Sequence, residues 1–287
     1  MPVRRNLTVA LIASVCVAAL EFWGGAVSRS LALTTDAVHV CTDVLALALA
    51  LVAAIGAARP ADRRRTFGYG RIEVLGALLN GTLLLVATLA IVYEAARRFA
   101  NPVEPATGVM TGIAAVGLLV NAGVGLLLRG AGKRDLNVRA ALFHVAGDAV
   151  GAGAVILGGI VIALTHRAWI DPLLSIFVAA IIVFGVVRVL RDATEVLLES
   201  VPGDVDSGDL EQHIAKIAGV TGVHDLHVWS IGSGSRALSA HVLLDDRRLS
   251  EAAQVLREIT DCAKAHFAIA HVTVQFECES CPVAVAH

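Results

Sequence analysis

The sequence predicts a polytopic α-helical membrane protein that ends in a small α+β domain. Three observations predict it: the first part of the chain is strongly apolar, that part divides into six runs of about 20 residues, and the composition becomes that of a soluble domain after Asp192. Over all 287 residues the chain is 56% hydrophobic with a mean hydropathy of +0.74. That is too apolar for an ordinary soluble domain.

The six runs are Leu7 to Val27, Leu31 to Ala57, Val74 to Ala96, Thr107 to Leu128, Ala140 to Leu164 and Ile170 to Val189. Each is long enough to cross a hydrocarbon core about 30 Å thick. The first follows Arg4 and Arg5, but its apolar run is long and no small-residue cleavage site stands out, so it reads as a span and not as a removable signal peptide. Basic residues then set the orientation. Arg4, Arg5, Arg59, Arg63, Arg64, Arg65, Arg71, Arg129, Lys133, Arg134, Arg139, Arg188 and Arg191 fall on one side, against Arg29, Arg97, Arg98 and Arg167 on the other. The positive-inside rule puts both termini in the cytoplasm of a multi-pass protein of the cell membrane, and the Ala- and Gly-rich, short-looped style suits a bacterial inner membrane. A net charge of −2 without a basic, aromatic-interleaved patch excludes nucleic acid as a partner.

The stretch "ESVPGDVDSGD", with Pro202 and Gly203, divides a transmembrane domain (residues 1–200) from a cytoplasmic domain (201–287). In the second part we read a helix over Ser207 to Ala218, a strand over Gly222 to Ser230, a turn at "GSGS", a strand over Ala237 to Leu244, a helix over Ser250 to Ala265 and a strand over Ala270 to Glu277. Helices on one face of a three-stranded sheet fit that order. So small a core gains from pairing with a second copy, which predicts a homodimer.

Within the spans one pattern occurs twice: His39 and Asp43 in "TTDAVHVCTD", and His144 and Asp148 in "ALFHVAGDAV". A helix turns about 100° per residue, so residues four apart share a face. Ionisable groups are costly in a bilayer and persist where they face the bundle interior and find a partner. No Lys or Arg stands in these segments to neutralise them. Two facing helices would join two imidazoles and two carboxylates into a four-coordinate set of the kind that suits Zn2+. Co2+, Cd2+ and Ni2+ fit the same donors, whereas hard cations prefer all-oxygen sites.

Asp36 shares the His39 face one turn earlier, either as an acceptor behind the ligands or as a step on the entry path. Cys41 lies about 200° around from His39 and is read, with Cys16, as core. Glu73, Asn80 and Asn121 read as interhelical hydrogen bonders, and Gly147 and Gly151 as points of close helix approach. In the cytoplasmic domain His224, His241, His271, Glu277, Cys278 and Cys281 are candidates for a second metal site. Strand alternation puts Asp225 and His227 on one face and His224 on the other. The closing "ECESC" reads as metal binding more readily than as a disulfide in a reducing compartment, and an odd cysteine count with Cys262 on a helix argues against a disulfide framework.

These segments together resemble the cation diffusion facilitator family, in its zinc-transporter group. "SLALTTDAVHVCTDVLA" is similar to the family's second span, "TFGYGRIEVLGALLNG" to its third, "NVRAALFHVAGDAVGA" to its fifth and "DPLLSIFVAAII" to its sixth; "VHDLHVWSI" and "LSAHV" are similar to its cytoplasmic domain. The resemblance implies six transmembrane helices with a ferredoxin-like cytoplasmic domain, in a homodimer that exchanges a divalent metal for protons. Residue by residue, it places the transport site on His39, Asp43, His144 and Asp148, and a buried charge interlock on Arg71 and Glu199, between the third span and the start of the cytoplasmic domain. It also implies a terminal metal-binding cysteine pair at Cys278 and Cys281. Where some bacterial relatives hold a further metal with histidines in the loop after the second span, this chain has Arg65 and Tyr69, which implies that the loop site is missing.

The expected function is therefore Zn2+/H+ antiport out of the cytosol by alternating access, or Co2+, Cd2+ or Ni2+ efflux by the same route. A membrane zinc hydrolase would need an open metal position and a base, usually as HExxH, and no HExxH is present, so an enzyme is not expected. A membrane-anchored metal sensor is the other rival.

Overall fold

The computed structural model describes residues 2–57, 59–129, 136–232, 234–245 and 248–278. Six long helices come first: α1 (Pro2–Ser28), α2 (Leu31–Ala57), α3 (Arg71–Ala100), α4 (Thr107–Arg129), α5 (Leu136–Thr165) and α6 (Ile170–Leu197). Each contains a stretch long and apolar enough to cross a bilayer. Proline marks their limits: Pro60 follows α2, Pro102 follows α3, and Pro172 stands in the first turn of α6, where its missing N–H breaks no helical bond. Helices α1, α3, α5 and α6 overrun the predicted spans, because a helix satisfies its own backbone and does not stop at the edge of the apolar run. The polar end of α6 is held this way, with Arg191 Nε donating to Glu195 Oε1 at 2.8 Å one turn on. Large apolar side chains such as Leu119, Leu157, Leu164 and Phe184 point outward, as lipid requires.

The chain falls into two compact units, Met1–Leu49 with Leu79–Leu190, and Ala50–Leu78 with Arg191–His287. In the first, Ala32, Leu33, Met110, Ile113, Ala114 and Val155 form one core cluster and Leu84, Val178, Ile182 and Val186 another. The small residues let the helices approach closely. One polar anchor fixes α2. Asp171, fully buried in the first turn of α6, accepts from the N–H groups of Leu31 (2.6 Å) and Ala32 (3.3 Å) and from the Ser30 hydroxyl (2.6 Å). Arg98 Nη1 stands 3.6 Å from the same carboxylate. A carboxylate on otherwise orphaned N–H groups, with a guanidinium beside it, is a compensated buried charge.

The second unit holds α7 (Ser207–Ala215), β1 (Val220–Gly232), β2 (Ser235–Leu244), α8 (Leu249–Phe267) and β3 (His271–Cys278). The sheet order is β1-β2-β3, with β1 and β2 antiparallel and β2 and β3 parallel. Asp206 caps α7 by accepting from Gly208 N and Asp209 N. Gly234, at φ +75°, makes the hairpin turn, and Ala268, at φ +55°, ends α8. Leu210 and Ile214 of α7 and Val255 and Ile259 of α8 pack with Leu238, Ala240 and Val242 of β2. This is the ferredoxin-like layering of helices on one face of a sheet. Both hairpin strands run longer than predicted, because their ends are paired residues of middling polarity that carry no alternation signal.

Candidate metal centres

On α2, His39 Nε2 and Asp43 Oδ2 are 3.7 Å apart, the neighbourly distance expected of residues one turn apart. Asp148 of α5 joins them: one ligand atom from each of His39, Asp43 and Asp148 lies within 4.8 Å of the other two. Asp148 is buried, and His39 and Asp43 are half-buried. His144 belongs to α5 one turn before Asp148, and its side chain lies outside the described residues.

Asp36 is buried beside this group, and glycine makes its room. A Cβ on Gly151 of α5 would stand 3.0 Å from Asp36 Oδ1. Gly147, expected to serve the same close approach, has no atom within 4 Å of its Cβ position among the described residues. Sequence reading passed over Glu21 on α1. It is buried, its Oε2 has no hydrogen-bond partner among the described residues, and Gly117 of α4 leaves space for it, since a Cβ there would lie 2.7 Å from Glu21 Oε1. A lone acid in "AALEFWGG" was the available signal. Of the expected interhelical hydrogen bonders, Asn121 is buried, and Asn80 Oδ1 has no hydrogen-bond partner among the described residues. Cys16 and Cys41 are exposed rather than core; Cys41 is so because the α2 face turned away from His39 is the outer one.

A second group forms on the sheet. Glu277 of β3 accepts from two imidazoles and an amide: its Oε2 is 3.1 Å from His224 Nε2, and its Oε1 is 2.8 Å from His241 Nδ1 and 3.0 Å from Gln275 Nε2. The His224 and His241 rings stand edge to face with centroids 5.2 Å apart, as their direct pairing across β1 and β2 requires. One ligand atom from each of His224, His241 and Glu277 lies within 4.8 Å of the others. Burial raises the Glu277 pKa, but the three donors outweigh it and hold the carboxyl below its ordinary range.

Three expectations for this domain are corrected. His224 does not face away from Asp225. The register shifts between His224 and His227, Asp225 takes φ +52°, and Asp225 Oδ2 comes within 3.7 Å of His241 Nε2 while Oδ1 lies 3.0 Å from His227 Nε2. A bulge of this kind breaks the period of two. His271 is not part of the group: it begins β3, six residues or about 20 Å along the strand from Glu277, and meets the Phe67 ring edge-on at 5.9 Å. The Arg71–Glu199 pair forms at 2.6 Å, but it is exposed and not buried. The side chain of Cys278, and Cys281 altogether, lie outside the described residues. Gln275 escaped notice because a lone amide in a strand carries no metal signal.

Comparison with known proteins bears on both groups. Residues 7–198 match the model of the cation efflux transmembrane domain, and residues 202–279 that of the cation efflux protein cytoplasmic domain. A cadmium, cobalt and zinc/H(+)-K(+) antiporter of Bacillus subtilis is 40% identical over 264 residues, covering 91% of this chain and 85% of that protein. The metal cation efflux system protein CzcD of Cupriavidus metallidurans is 38% identical over 98% of this chain and 89% of its own length. The zinc transporter ZitB of Escherichia coli is 37% identical over 91% and 83%.

Proposed function

The chain belongs to the cation diffusion facilitator family, a multi-pass membrane transporter of divalent metal cations and not an enzyme, and from that premise we propose that it exports Zn2+ from the cytosol in exchange for protons. One observation carries the reading of the site: His39, Asp43 and Asp148 offer three ligand atoms within 4.8 Å of one another inside apolar helices. His144, at the matching place on α5, supplies the fourth donor, and Asp36 stands behind them. The names of the relatives support zinc among several late divalent metals, and two imidazoles with two carboxylates favour it over hard cations.

Antiport follows from the donor chemistry. An imidazole must be unprotonated to bind metal, so Zn2+ and protons compete for the same atoms when the site opens alternately to each side. Moving two positive charges outward against about 100 mV costs about 4.6 kcal/mol, and one returning proton offsets half of that. The chain acts as a homodimer with both termini in the cytoplasm of a bacterial-type cell membrane. Its second metal group, His224, His241 and Glu277, with Cys278 and Cys281 as further donors, regulates and does not conduct.

The test is metal flux by purified full-length protein in liposomes, over a panel of Zn2+, Cd2+, Co2+, Ni2+ and Mn2+ with a proton dye inside. Asp148→Ala removes a ligand and the charge that offsets the metal, and should abolish zinc flux and the linked proton signal while the dimer still assembles. Wild-type flux in a folded Asp148→Ala protein would overturn the proposed site.

A further inference from the structure

Between α2 and α3 the chain carries three consecutive arginines, and their backbone is pinned. Asp62 Oδ1 accepts from Arg64 N at 2.7 Å and Arg65 N at 2.8 Å, while its Oδ2 accepts from the Tyr69 hydroxyl at 2.6 Å. Gly68 N closes the turn on Arg65 O at 2.9 Å, and the Arg65 guanidinium lies 4.5 Å from the centre of the Tyr69 ring. The Tyr69 hydroxyl and the two amides hold the Asp62 carboxyl below its usual range, so the knot stays ionised. Arg63, Arg64 and Arg65 are exposed, and among the described residues Arg63 and Arg64 form no ion pair.

Beside this turn is a cavity of about 570 Å³ lined by Arg64, Arg65, Arg71, Ile72, Leu75 and Trp229, among others. Arg71 is already matched by Glu199, which leaves Arg64 and Arg65 as its surplus charge. Leu75 lies one turn into the apolar length of α3 and is exposed. The cavity thus has a basic mouth and an apolar wall at the level where the spanning segment begins.

We propose that this cavity binds an anionic phospholipid, with the headgroup phosphate on Arg64 and Arg65 and the acyl chain along Ile72 and Leu75. Guanidinium pairs recognise phosphate in a fixed fork geometry, and anionic lipid is the phosphate source that also offers an apolar tail. The need for arginine on one side of the membrane explains the residue type here. It does not explain a carboxylate that organises the arginines around a cavity.

Native mass spectrometry of the full-length protein tests this with phosphatidylglycerol and phosphatidylcholine of identical acyl chains. The wild type should retain phosphatidylglycerol in preference by about tenfold, and the Arg64→Gln, Arg65→Gln double variant should fall to parity. Arg63→Gln, which removes one of the three adjacent positive charges but from outside the cavity, should keep most of the preference. Asp62→Ala separates the pinned cavity from diffuse attraction: it makes the loop more positive yet should weaken lipid retention several-fold. Equal retention of both lipids by the wild type overturns the proposal. So does tighter retention by Asp62→Ala, loss in Arg63→Gln as large as in the double variant, or displacement of the lipid by millimolar inorganic phosphate, which would mark a simple anion site.

Discussion

The membrane group and the cytoplasmic group use the same donors, imidazole and carboxylate, on different backbones. On α2 the pair His39 and Asp43 is local, set by one helical turn. On the sheet, Glu277 meets His224 and His241 from 53 and 36 residues away in sequence. The helical site therefore costs little local ordering but needs a second helix brought alongside, whereas the sheet site comes complete once three strands pair. The proposed transport cycle would open and close the first; the second is held by a formed sheet.

The largest contrast is in flux. Asp43→Ala should lower zinc transport by at least about 100-fold, since it strips a ligand and a charge from the proposed transport site. Glu277→Ala should leave transport within about twofold at saturating zinc. Side-by-side liposome assays decide this, and a loss with Glu277→Ala equal to that with Asp43→Ala would merge the two groups into one pathway.

Next is affinity at the sheet. Glu277 joins both imidazoles, so Glu277→Gln should weaken zinc binding by the cytoplasmic domain by about 10- to 100-fold, read by calorimetry. The rise in unfolding temperature that zinc gives the wild-type domain should shrink with it.

The same contrast explains what the sequence revealed. His39 and Asp43 could be paired from spacing because i,i+4 on a helix is a fixed geometry, and Asp36 could be placed on their face for the same reason; Asp148 joins them among the described residues. Glu21 and Asp171 were missed because each acts across helices: Glu21 fits against Gly117, and Asp171 caps α2 from the start of α6. In the cytoplasmic domain the elements were legible, but the site was only partly so. Alternation sent His224 to the wrong face because the bulge before His227 carries no clear signature, and His271 was included because residue type says nothing of position along a strand.

A smaller effect should separate two glycines of α5. Gly151→Ala places a Cβ 3.0 Å from Asp36 Oδ1, so either the carboxylate or the helix must shift. Overpacking of this kind costs about 1–3 kcal/mol, and zinc flux should fall several-fold. Gly147→Ala meets no atom within 4 Å among the described residues and should transport within about twofold of wild type. Equal effects at the two positions would mean that Asp36 takes no part in the site.

The smallest effect contrasts the metal group with an ordinary ion pair on the same sheet. Arg236 Nη2 donates to both Asp204 oxygens at 2.7 Å, and this bond holds the Asp204 carboxyl below its usual range. A carboxylate whose pKa is depressed on folding binds its proton more weakly in the folded state than in the unfolded one. Its contribution is therefore fully present above the unfolded value of about 3.9 and is lost as pH falls through the lower folded value. Asp204→Asn should lower the unfolding temperature of the cytoplasmic domain slightly at pH 6 and by progressively less as the pH falls below about 3.9, measured by calorimetry with a chelator present. Zinc should raise both proteins at pH 6 by the same amount, because Asp204 lies apart from His224, His241 and Glu277. A zinc-dependent difference between the wild type and Asp204→Asn would show that the ion pair and the metal group are coupled, and the sheet would then act as one switch instead of a site beside a clasp.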